Sequence, residues 1–151
     1  MAHAENSITI NRPAEEVYAF LADGLNNPLW RSAVQSISLK EGAAGEVGAV
    51  YSQTLTGPKG RPLQGDYQIT QAEPGWLLAF QVVSGPARPV GRYKLADAAH
   101  TTAGATPATA VTFTLDLKLP VLMRVLDSLV TRTMESEVAQ LAKLKEVLEA
   151  R

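Results

Sequence analysis

The chain has 151 residues, so we expect a single domain over residues 1–151 that buries roughly two thirds of the surface its unfolded chain would expose. With 14 Lys and Arg against 15 Asp and Glu, the formal net charge of -1 excludes the strong positive field that draws proteins to nucleic acid or anionic membranes. The absence of cysteine excludes disulfides, thiolate nucleophiles and cysteine-based zinc or iron–sulfur sites.

No stretch of the sequence has the character of an export signal or a membrane span. The N-terminus MAHAENSITI lacks the basic residues and the apolar run of a signal peptide. The most apolar later run, VLMRVLDSLV, is interrupted by Arg124 and Asp127. We therefore expect a soluble cytoplasmic protein with no integral membrane segment and no nucleic-acid partner.

The N-terminal part of the sequence predicts a strand and then a helix. Ile8 and Ile10 alternate with polar neighbours, which is the period-two pattern of a half-buried strand. Pro13 suits the first helical position because its missing N–H would have no partner there. A helix is therefore predicted from Pro13 to Asp23-Gly24, where it ends. Its apolar face consists of Ala14, Val17, Tyr18 and Leu21, with Phe20 alongside.

The segment that follows predicts a turn and one further short helical turn. Asn26-Asn27-Pro28 has the composition of a turn, and the short helical turn lies around Leu29 and Trp30. A tryptophan placed after a turn more often packs in a core than contacts a ligand, and both roles stay open for Trp30.

The middle of the chain consists of short alternating segments separated by Gly and Pro. Because the connections are short, neighbouring strands should pair antiparallel as a meander. The Ala-, Thr- and Gly-rich stretch at residues 96–109 buries almost nothing and is predicted to be a mobile hairpin loop. The six predicted strands cover residues 34–40, 49–56, 63–72, 76–83, 90–96 and 109–118.

After the last strand, Pro120 ends the alternation and a long helix is predicted. Its apolar positions recur at helical spacing over about thirty residues, enough to span a small domain. Its second half also carries many charged residues, which indicates a solvated face. The predicted apolar stripe consists of Leu122, Leu126, Leu129, Thr133, Val138, Leu141, Leu144 and Leu148.

In this order of elements the chain resembles the START-related superfamily of helix-grip proteins, closest to its polyketide cyclase/dehydrase and lipid-transport branch. The resemblance covers nearly the whole length, from about Ser7 to Glu149. The segments that carry it are SITINRPAEEVYAFLAD, then NNPLW, then the EVG step into the third strand, and TMESEVAQLAKLKEVLEA at the end.

The resemblance implies an α+β helix-grip fold. A curved, seven-stranded antiparallel sheet would wrap around a long C-terminal helix, and two short helices after the first strand would fill the gap where the sheet cannot close. A cavity that accepts apolar molecules would lie between sheet and helix, with Trp30 near one end.

A search for catalytic groups finds no recognisable acid/base pair, metal site or nucleotide motif. His3 is expected in a frayed terminus and His100 in the mobile loop, and neither placement suits a general base or a metal ligand. The glycine-containing turns lack P-loop and dinucleotide-binding spacing. Strand parity places Asp66 and Asp116 on the solvent face. We therefore expect no cofactor and no metal.

Strand parity also points several polar side chains toward the interior. Tyr51 and Gln53 share a face of the third strand, and Tyr67 falls with apolar residues on the fourth. Tyr93 and Arg92 have opposite parity, so only one of them faces inward. We favour Tyr93 because an unpaired buried guanidinium is costly.

The predicted ligand contacts combine these polar groups with apolar residues of the sheet and helix. An apolar wall with a few polar anchors is what a small-molecule site needs, although the same residues would also make an ordinary core. The set consists of Trp30, Tyr51, Gln53, Leu55, Tyr67, Phe80, Tyr93, Phe113, Leu115, Met123, Leu126 and Met134.

The size of such a cavity limits its state. A ligand pocket typically measures roughly 300 Å³, and at about 24 cal/mol per Å³ an empty one would cost on the order of 7 kcal/mol. That cost rivals the stability of a typical domain. We therefore expect the cavity to be occupied, wet, open at one end or collapsed.

Three functions stay open at this point. The first is binding of a small hydrophobic or amphipathic molecule, lipid-like, isoprenoid or polyketide-derived, by a monomer or homodimer. The second is a polyketide cyclase/dehydrase-type enzyme in which the pocket folds a reactive polyketide and Tyr51, Tyr67, Tyr93 or Arg92 assists proton transfer. The third, for which the near-neutral charge offers no special support, is a protein-interaction module.

Overall fold

The structure, a computed structural model, describes residues 2–85, 87–98, 107–119 and 121–151, without the side chains of Pro58 and residues 121–123. Its strands are β1 (Ala2–Ile10), β2 (Val34–Glu41), β3 (Val50–Thr56), β4 (Pro62–Gln64), β5 (Tyr67–Glu73), β6 (Leu77–Val82), β7 (Val90–Asp97) and β8 (Thr109–Leu117). Its α-helices are α1 (Ala14–Ala22), α2 (Asn27–Trp30), α3 (Asp127–Val138) and α4 (Leu141–Glu149). Short 3₁₀ segments cover Gly24–Asn26, Pro58–Gly60 and Val121–Leu126.

All strands belong to one antiparallel sheet, and the predicted α+β helix-grip fold is confirmed. The strand order is β1-β8-β7-β6-β5-β3-β2, and the short β4 pairs with β3 outside this path. The strand predicted at residues 63–72 is in fact two strands, because Gly65 and Asp66 interrupt it between β4 and β5. The hairpin-loop prediction falls mainly on residues 99–106, which include His100 and lie outside the described residues.

The N-terminal strand is longer than its sequence pattern indicates. β1 pairs with β8 along its whole length, from Ala2 opposite Leu117 to Ile10 opposite Thr109. The prediction that His3 lies in a frayed terminus is therefore wrong. His3 is opposite Asp116, and its ring Nδ1 lies 2.6 Å from the Asp116 carboxylate Oδ1. The buried positions here are small alanines, which carry little hydrophobic signal.

Two short helices connect the two edges of the sheet. β1 and β2 are the edge strands, so the chain must cross the sheet between residues 10 and 34. α1 makes this crossing with its apolar side buried. Pro13 is predicted to be the first helical residue, but it is the N-cap residue and α1 begins at Ala14. α2 then delivers Trp30 into the core, where its side chain is 1% exposed. The helix pair therefore occupies the place expected for it.

The C-terminal helix packs against the core mainly through its second half. Met134, Val138, Leu141, Leu144 and Leu148 are all buried. Between α3 and α4 the helix tightens, because the N–H of Gln140 donates to the carbonyl of Glu137 three residues earlier at 3.1 Å.

The first part of the predicted apolar stripe does not face the core. Leu126 is 41% exposed and Leu129 is 61% exposed, which corrects their assignment to the buried face. The six residues Val121–Leu126 form a 3₁₀ segment and not an α-helix. A 3₁₀ helix turns about 20° further per residue than an α-helix. At Leu126, a stripe spaced for an α-helix is therefore rotated away from the sheet. Leu129 lies within α3, five residues before the buried Met134, and therefore faces about 140° away from it.

The two halves of the helix should differ sharply in their contribution to stability. Leu144→Ala should lower the free energy of unfolding by about 2–5 kcal/mol, because its side chain is fully buried. Leu129→Ala, the same change at an exposed site, should alter it by no more than about 0.5 kcal/mol. Urea denaturation measures both. Equal losses at the two sites would contradict this packing.

Candidate functional site

A continuous row of aromatic rings covers the interior face of the sheet from β3 to β8. Every ring in the row is buried, and each contacts the next. The centroid distances are 5.2 Å for Tyr51–Tyr67, 5.1 Å for Tyr67–Phe80, 5.9 Å for Phe80–Tyr93 and 4.4 Å for Tyr93–Phe113, and Trp30 lies edge-on to Tyr93 at 6.1 Å and to Phe113 at 6.2 Å. We call these six residues the aromatic row.

Two glycines allow the rings to lie this close to the backbone. Gly91 is opposite Phe80 in the register of β6 and β7, and a Cβ atom at Gly91 would overlap the Phe80 ring. A Cβ atom at Gly24 would overlap the Tyr67 hydroxyl and lie 2.9 Å from the Tyr51 ring. The aromatic row therefore fits tightly against the chain around it.

A small cavity remains beside the aromatic row. Its volume is about 10 Å³, which is about the minimum that holds one water molecule. Of the four states expected for the cavity, the structure therefore has the collapsed one. The large aromatic side chains fill the interior beside this cavity, and an open groove of about 540 Å³ lies apart from it between β1 and α3. The residues around the cavity are Leu21, Ala22, Asn27, Arg31, Tyr67, Ile69, Leu78, Phe80 and Tyr93.

Polar groups line one side of this cavity, and we call Asn27, Arg31, Tyr67 and Tyr93 the polar corner. Arg31 is only 6% exposed, and its Nε and Nη2 donate to the Glu137 Oε2 at 3.2 and 3.0 Å. Asn27 Nδ2 donates to the Tyr67 hydroxyl at 3.0 Å. The Arg31–Glu137 ion pair connects α2 to α3, so it joins the polar corner to the C-terminal helix.

Burial fixes the protonation states of these groups. It raises the pKa of Tyr67 and Tyr93 far above the ordinary tyrosine value, because it disfavours the phenolate. Burial, the largest single effect, would lower the pKa of Arg31, but the Glu137 carboxylate together with Tyr93 and Tyr67 outweighs it and the net shift is upward. At neutral pH the polar corner therefore presents a guanidinium cation and two uncharged hydroxyls. These groups donate hydrogen bonds, and none of them is a general base.

Most of the sequence-predicted ligand contacts lie in the interior. The preference for Tyr93 over Arg92 as the inward residue is confirmed, because Tyr93 is 4% exposed and Arg92 is exposed. Tyr67, Phe80 and Tyr93 touch the cavity itself. Trp30, Tyr51 and Phe113 belong to the aromatic row but not to the cavity wall. Gln53, Leu115 and Met134 are buried and Leu55 is half-buried, and none of them lines the cavity.

Three predicted positions turn out differently or lie outside the described side chains. Leu126 is on the exposed side of the C-terminal segment and does not line the cavity beside the aromatic row. The side chain of Met123 lies outside the description. Asp66, assigned to the solvent face, is only 8% exposed, and that assignment is wrong.

The error at Asp66 has a clear physical cause. Strand parity holds only within one strand, and Asp66 lies in the break between β4 and β5. Its carboxylate accepts hydrogen bonds from the Gln53 backbone N–H at 3.1 Å and from the Gln64 side-chain amide. Its own N–H donates to the Ser84 hydroxyl at 2.8 Å. Asp66 therefore fixes the strand break and does not face water.

The polar corner contains residues that sequence reasoning missed, namely Asn27 and Arg31. A signal for both was present, because positions 27, 30 and 31 have i, i+3, i+4 spacing and share one side of a helical turn. Once Trp30 is placed in the core, its two neighbours on that side must also point inward. No comparable signal marks Glu137, which joins Arg31 across 106 positions of sequence.

Metal-binding chemistry finds no support in the described part of the chain. No group of three or more His, Asp or Glu residues is close enough there to hold an ion. The exposed His3–Asp116 pair on the outer face of the sheet offers two potential ligands.

The sequence matches the family described as polyketide cyclase / dehydrase and lipid transport over residues 1–149. The chain belongs to this family. The resemblance identified from the sequence motifs is therefore confirmed. Because the family description joins polyketide-processing enzymes with lipid transport, membership in the polyketide cyclase/dehydrase and lipid-transport family supports hydrophobic ligand binding in general.

Solved structures similar to this family member share its fold at low sequence identity. A Deinococcus radiodurans protein is 19% identical, with a TM-score of 0.67 over 99% of this chain and 98% of its own. The protein Ara h 8.0201 is 18% identical, with a TM-score of 0.67 over 99% of this chain and 98% of its own. The di-domain ARO/CYC BexL from the BE-7585A biosynthetic pathway is 20% identical, with a TM-score of 0.68 over 99% of this chain and 47% of its own.

These likenesses establish the fold of the polyketide cyclase/dehydrase and lipid-transport family and nothing more specific. No curated protein is similar enough in sequence to count as a match. Among the described residues, no helix has the length and apolar character needed to cross a bilayer.

The buried ion pair should behave as one unit in stability measurements. Glu137→Met should lower the free energy of unfolding by about 3–5 kcal/mol, because it leaves the buried Arg31 cation unpaired. Adding Arg31→Met should restore a large part of that loss, since an apolar pair of similar size has no charge to desolvate. A double-mutant cycle by urea denaturation measures this coupling. Additive losses from the two substitutions would contradict the pairing.

Burial of Tyr93 should also appear in the alkaline pH dependence of stability. Its pKa is near 10 in the unfolded chain and higher in the folded protein, so its contribution is fully present below pH 10 and is lost as the pH rises above that value. Between about pH 10 and about pH 12, Tyr93→Phe should reduce the decline in unfolding free energy by about 1.4 kcal/mol per pH unit. Urea denaturation at a series of pH values measures both slopes. Identical slopes would show that Tyr93 ionises freely in the fold.

Proposed function

We propose that the protein binds a small hydrophobic or amphipathic molecule, lipid-like, isoprenoid or polyketide-derived, between the sheet and the C-terminal helix. The observation that carries the proposal is the polar corner, a group of buried polar side chains at the end of an aromatic interior that keeps hydrogen-bond donors beyond its internal bonds. An apolar wall with a few convergent polar groups is the usual composition of a small-molecule site. Family membership supports the same class of ligand.

Binding requires the collapsed interior to open. The cavity measures about 10 Å³, whereas a typical ligand site needs roughly 300 Å³ or more. The first part of the C-terminal helix is the element that opens at least cost. Between Arg124 and Ser136, Met134 is the only buried side chain, with Val130 partly buried against the core.

The energy balance supports opening on this side. Exposing Met134 and part of Val130 costs about 2–4 kcal/mol, and burying about 300 Å² of ligand surface returns about 7 kcal/mol. α4 is a poor candidate for movement because Leu141, Leu144 and Leu148 are fully buried. The proposed motion ends at Ser136, before Glu137 and the buried Val138, so the Arg31–Glu137 pair stays in place with α4.

Exposed apolar side chains on the moving segment fit this proposal. Val125, Leu126 and Leu129 are 87%, 41% and 61% exposed in the collapsed form. A rotation of the segment would turn some of them toward the ligand, which is the role predicted for Leu126. The predicted contacts that belong to the aromatic row, including Trp30, Tyr51 and Phe113, would form the opposite wall of the site.

A cyclase/dehydrase-type reaction is the second candidate, and the composition of the polar corner favours it. Arg31 and the uncharged Tyr67 and Tyr93 hydroxyls would stabilise negative charge that develops on a substrate carbonyl oxygen. Incubation with a reactive polyketide and a Tyr93→Phe comparison tests this role. Turnover that is unchanged in the variant would leave Tyr93 as a wall residue only.

Native mass spectrometry with solvent extraction tests the binding proposal. We expect the purified protein to carry or take up one hydrophobic molecule, and a neutral fluorescent naphthylamine probe to bind with one-to-one stoichiometry. Leu78→Trp places a large ring at the cavity wall and should weaken probe binding at least about tenfold. Val47→Trp adds the same ring at a 62% exposed site and should have no effect.

Circular dichroism checks that both variants are folded, and Ala22→Leu is a milder change at the same cavity wall. A protein that takes up no hydrophobic molecule under any of these conditions would overturn the proposed function. Probe binding that survives both cavity-filling variants would place the ligand elsewhere.

A further inference from the structure

We propose that the polar corner selects ligands whose polar end is an uncharged oxygen acceptor, such as a ketone, and discriminates against the matching carboxylate. The reason is that Glu137 already neutralises the one cation of the corner, Arg31. This inference rests on the proposed function, because it names the chemical class that the same interior would accept. It also identifies Glu137 as a specificity-determining residue.

Three residues of the corner, Arg31, Tyr67 and Tyr93, keep hydrogen-bond donors that have no partner across the residues that the structure describes. Arg31 uses two N–H groups on Glu137, and a guanidinium has five. Its other N–H groups have no partner among the described residues, and Arg31 lines the cavity. Tyr67 accepts from Asn27 at 3.0 Å, which leaves the Tyr67 hydroxyl proton free to donate.

Tyr93 adds a further donor to the same space. Its hydroxyl makes no hydrogen bond within the described part of the chain, and it lies close enough to Arg31 and Glu137 to be influenced by both charges. Arg31, Tyr67 and Tyr93 therefore point donors at one small volume. A carbonyl or ether oxygen accepts such hydrogen bonds without bringing a charge into the interior.

A carboxylate would fit the same donors poorly because Glu137 already pairs with Arg31, so the corner and Glu137 together have no net charge. Repulsion by Glu137, whose carboxylate lies 3.0 Å from the guanidinium, offsets part of the attraction to Arg31. What remains is the cost of removing a carboxylate from water, which is far larger than the cost for a ketone oxygen. The balance therefore favours the uncharged ligand.

The rival arrangement is a ligand carboxylate that displaces Glu137 from Arg31. The Glu137 side chain is 18% exposed, so its carboxylate would be hydrated if it separated from Arg31. In that arrangement the wild-type protein would bind the carboxylate more tightly than the ketone. The two arrangements therefore make opposite predictions for the unmodified protein.

The test compares 2-dodecanone with dodecanoate, measured by displacement of the neutral naphthylamine probe at neutral pH. For the wild-type protein we expect the ketone to bind at least about tenfold more tightly. Glu137→Gln keeps the size and a hydrogen-bond acceptor but removes the charge that neutralises Arg31. It should raise dodecanoate affinity at least about tenfold and change ketone affinity by less than about threefold.

Glu135→Gln is the matched control. It makes the same charge change two residues earlier on α3, at an exposed position that does not line the cavity, and should leave both affinities unchanged. The double variant Arg31→Gln with Glu137→Gln should lose the gain for dodecanoate, because the cation is gone. If Glu137→Gln fails to fold, the wild-type comparison still decides between the two arrangements.

Each outcome bears on the inference. Equal affinities, or tighter binding of dodecanoate by the wild-type protein, would overturn the selectivity while leaving the proposed function intact. A Glu137→Gln variant with unchanged preference would overturn the role of Glu137. Failure of both ligands and of the probe to bind would overturn the proposed function and the inference with it.

Discussion

A buried ion pair between Arg31 and Glu137 determines how the interior of this protein is arranged. A guanidinium that is 6% exposed requires a partner, because an unpaired buried charge costs several kcal/mol. Glu137 on α3 supplies that partner, and the pair ties the short helix α2 to the C-terminal helix at 3.0 Å. The same contact gives the aromatic interior a polar end. The contact between α2 and the C-terminal helix and the polar end of the candidate site therefore share one interaction.

The collapsed cavity is consistent with this view of the interior. An open dry space large enough for a ligand would cost on the order of the whole stability of a small domain. The aromatic row avoids that cost by filling the space with rings that pack against one another, and Gly24 and Gly91 provide the room they need. The first part of the C-terminal helix buries Met134 and part of Val130. On the proposed function, the filled interior opens on this side at a cost of a few kcal/mol.

The sequence predicts the fold well because the decisive signals are local. Alternation around Phe113 and Leu115 marks β8, and parity assigns Tyr93 to the interior and Arg92 to the surface. Sequence patterns mispredict side-chain direction where a strand is interrupted or where a helix changes its number of residues per turn. Asp66 sits in a strand break that resets parity, and Leu126 lies in a 3₁₀ segment whose turn does not match α-helical spacing.

The candidate site was less predictable because its central contact is not local. The aromatic residues follow from strand patterns, and spacing from Trp30 would have placed Asn27 and Arg31 on the inner side of α2. The choice of Glu137 as the partner depends on how α3 passes the end of α2, which no pattern in either segment encodes. Charge balance in the interior is therefore a property of the assembled fold.

The central claim is that a ligand occupies the interior beside an intact Arg31–Glu137 pair, and a crystal structure of the complex with 2-dodecanone tests it most directly. The account predicts the ketone oxygen within hydrogen-bond distance of Arg31, with Glu137 still paired, α4 in place and the first part of α3 moved outward. A ketone bound outside the aromatic interior, or an Arg31 separated from Glu137, would contradict it.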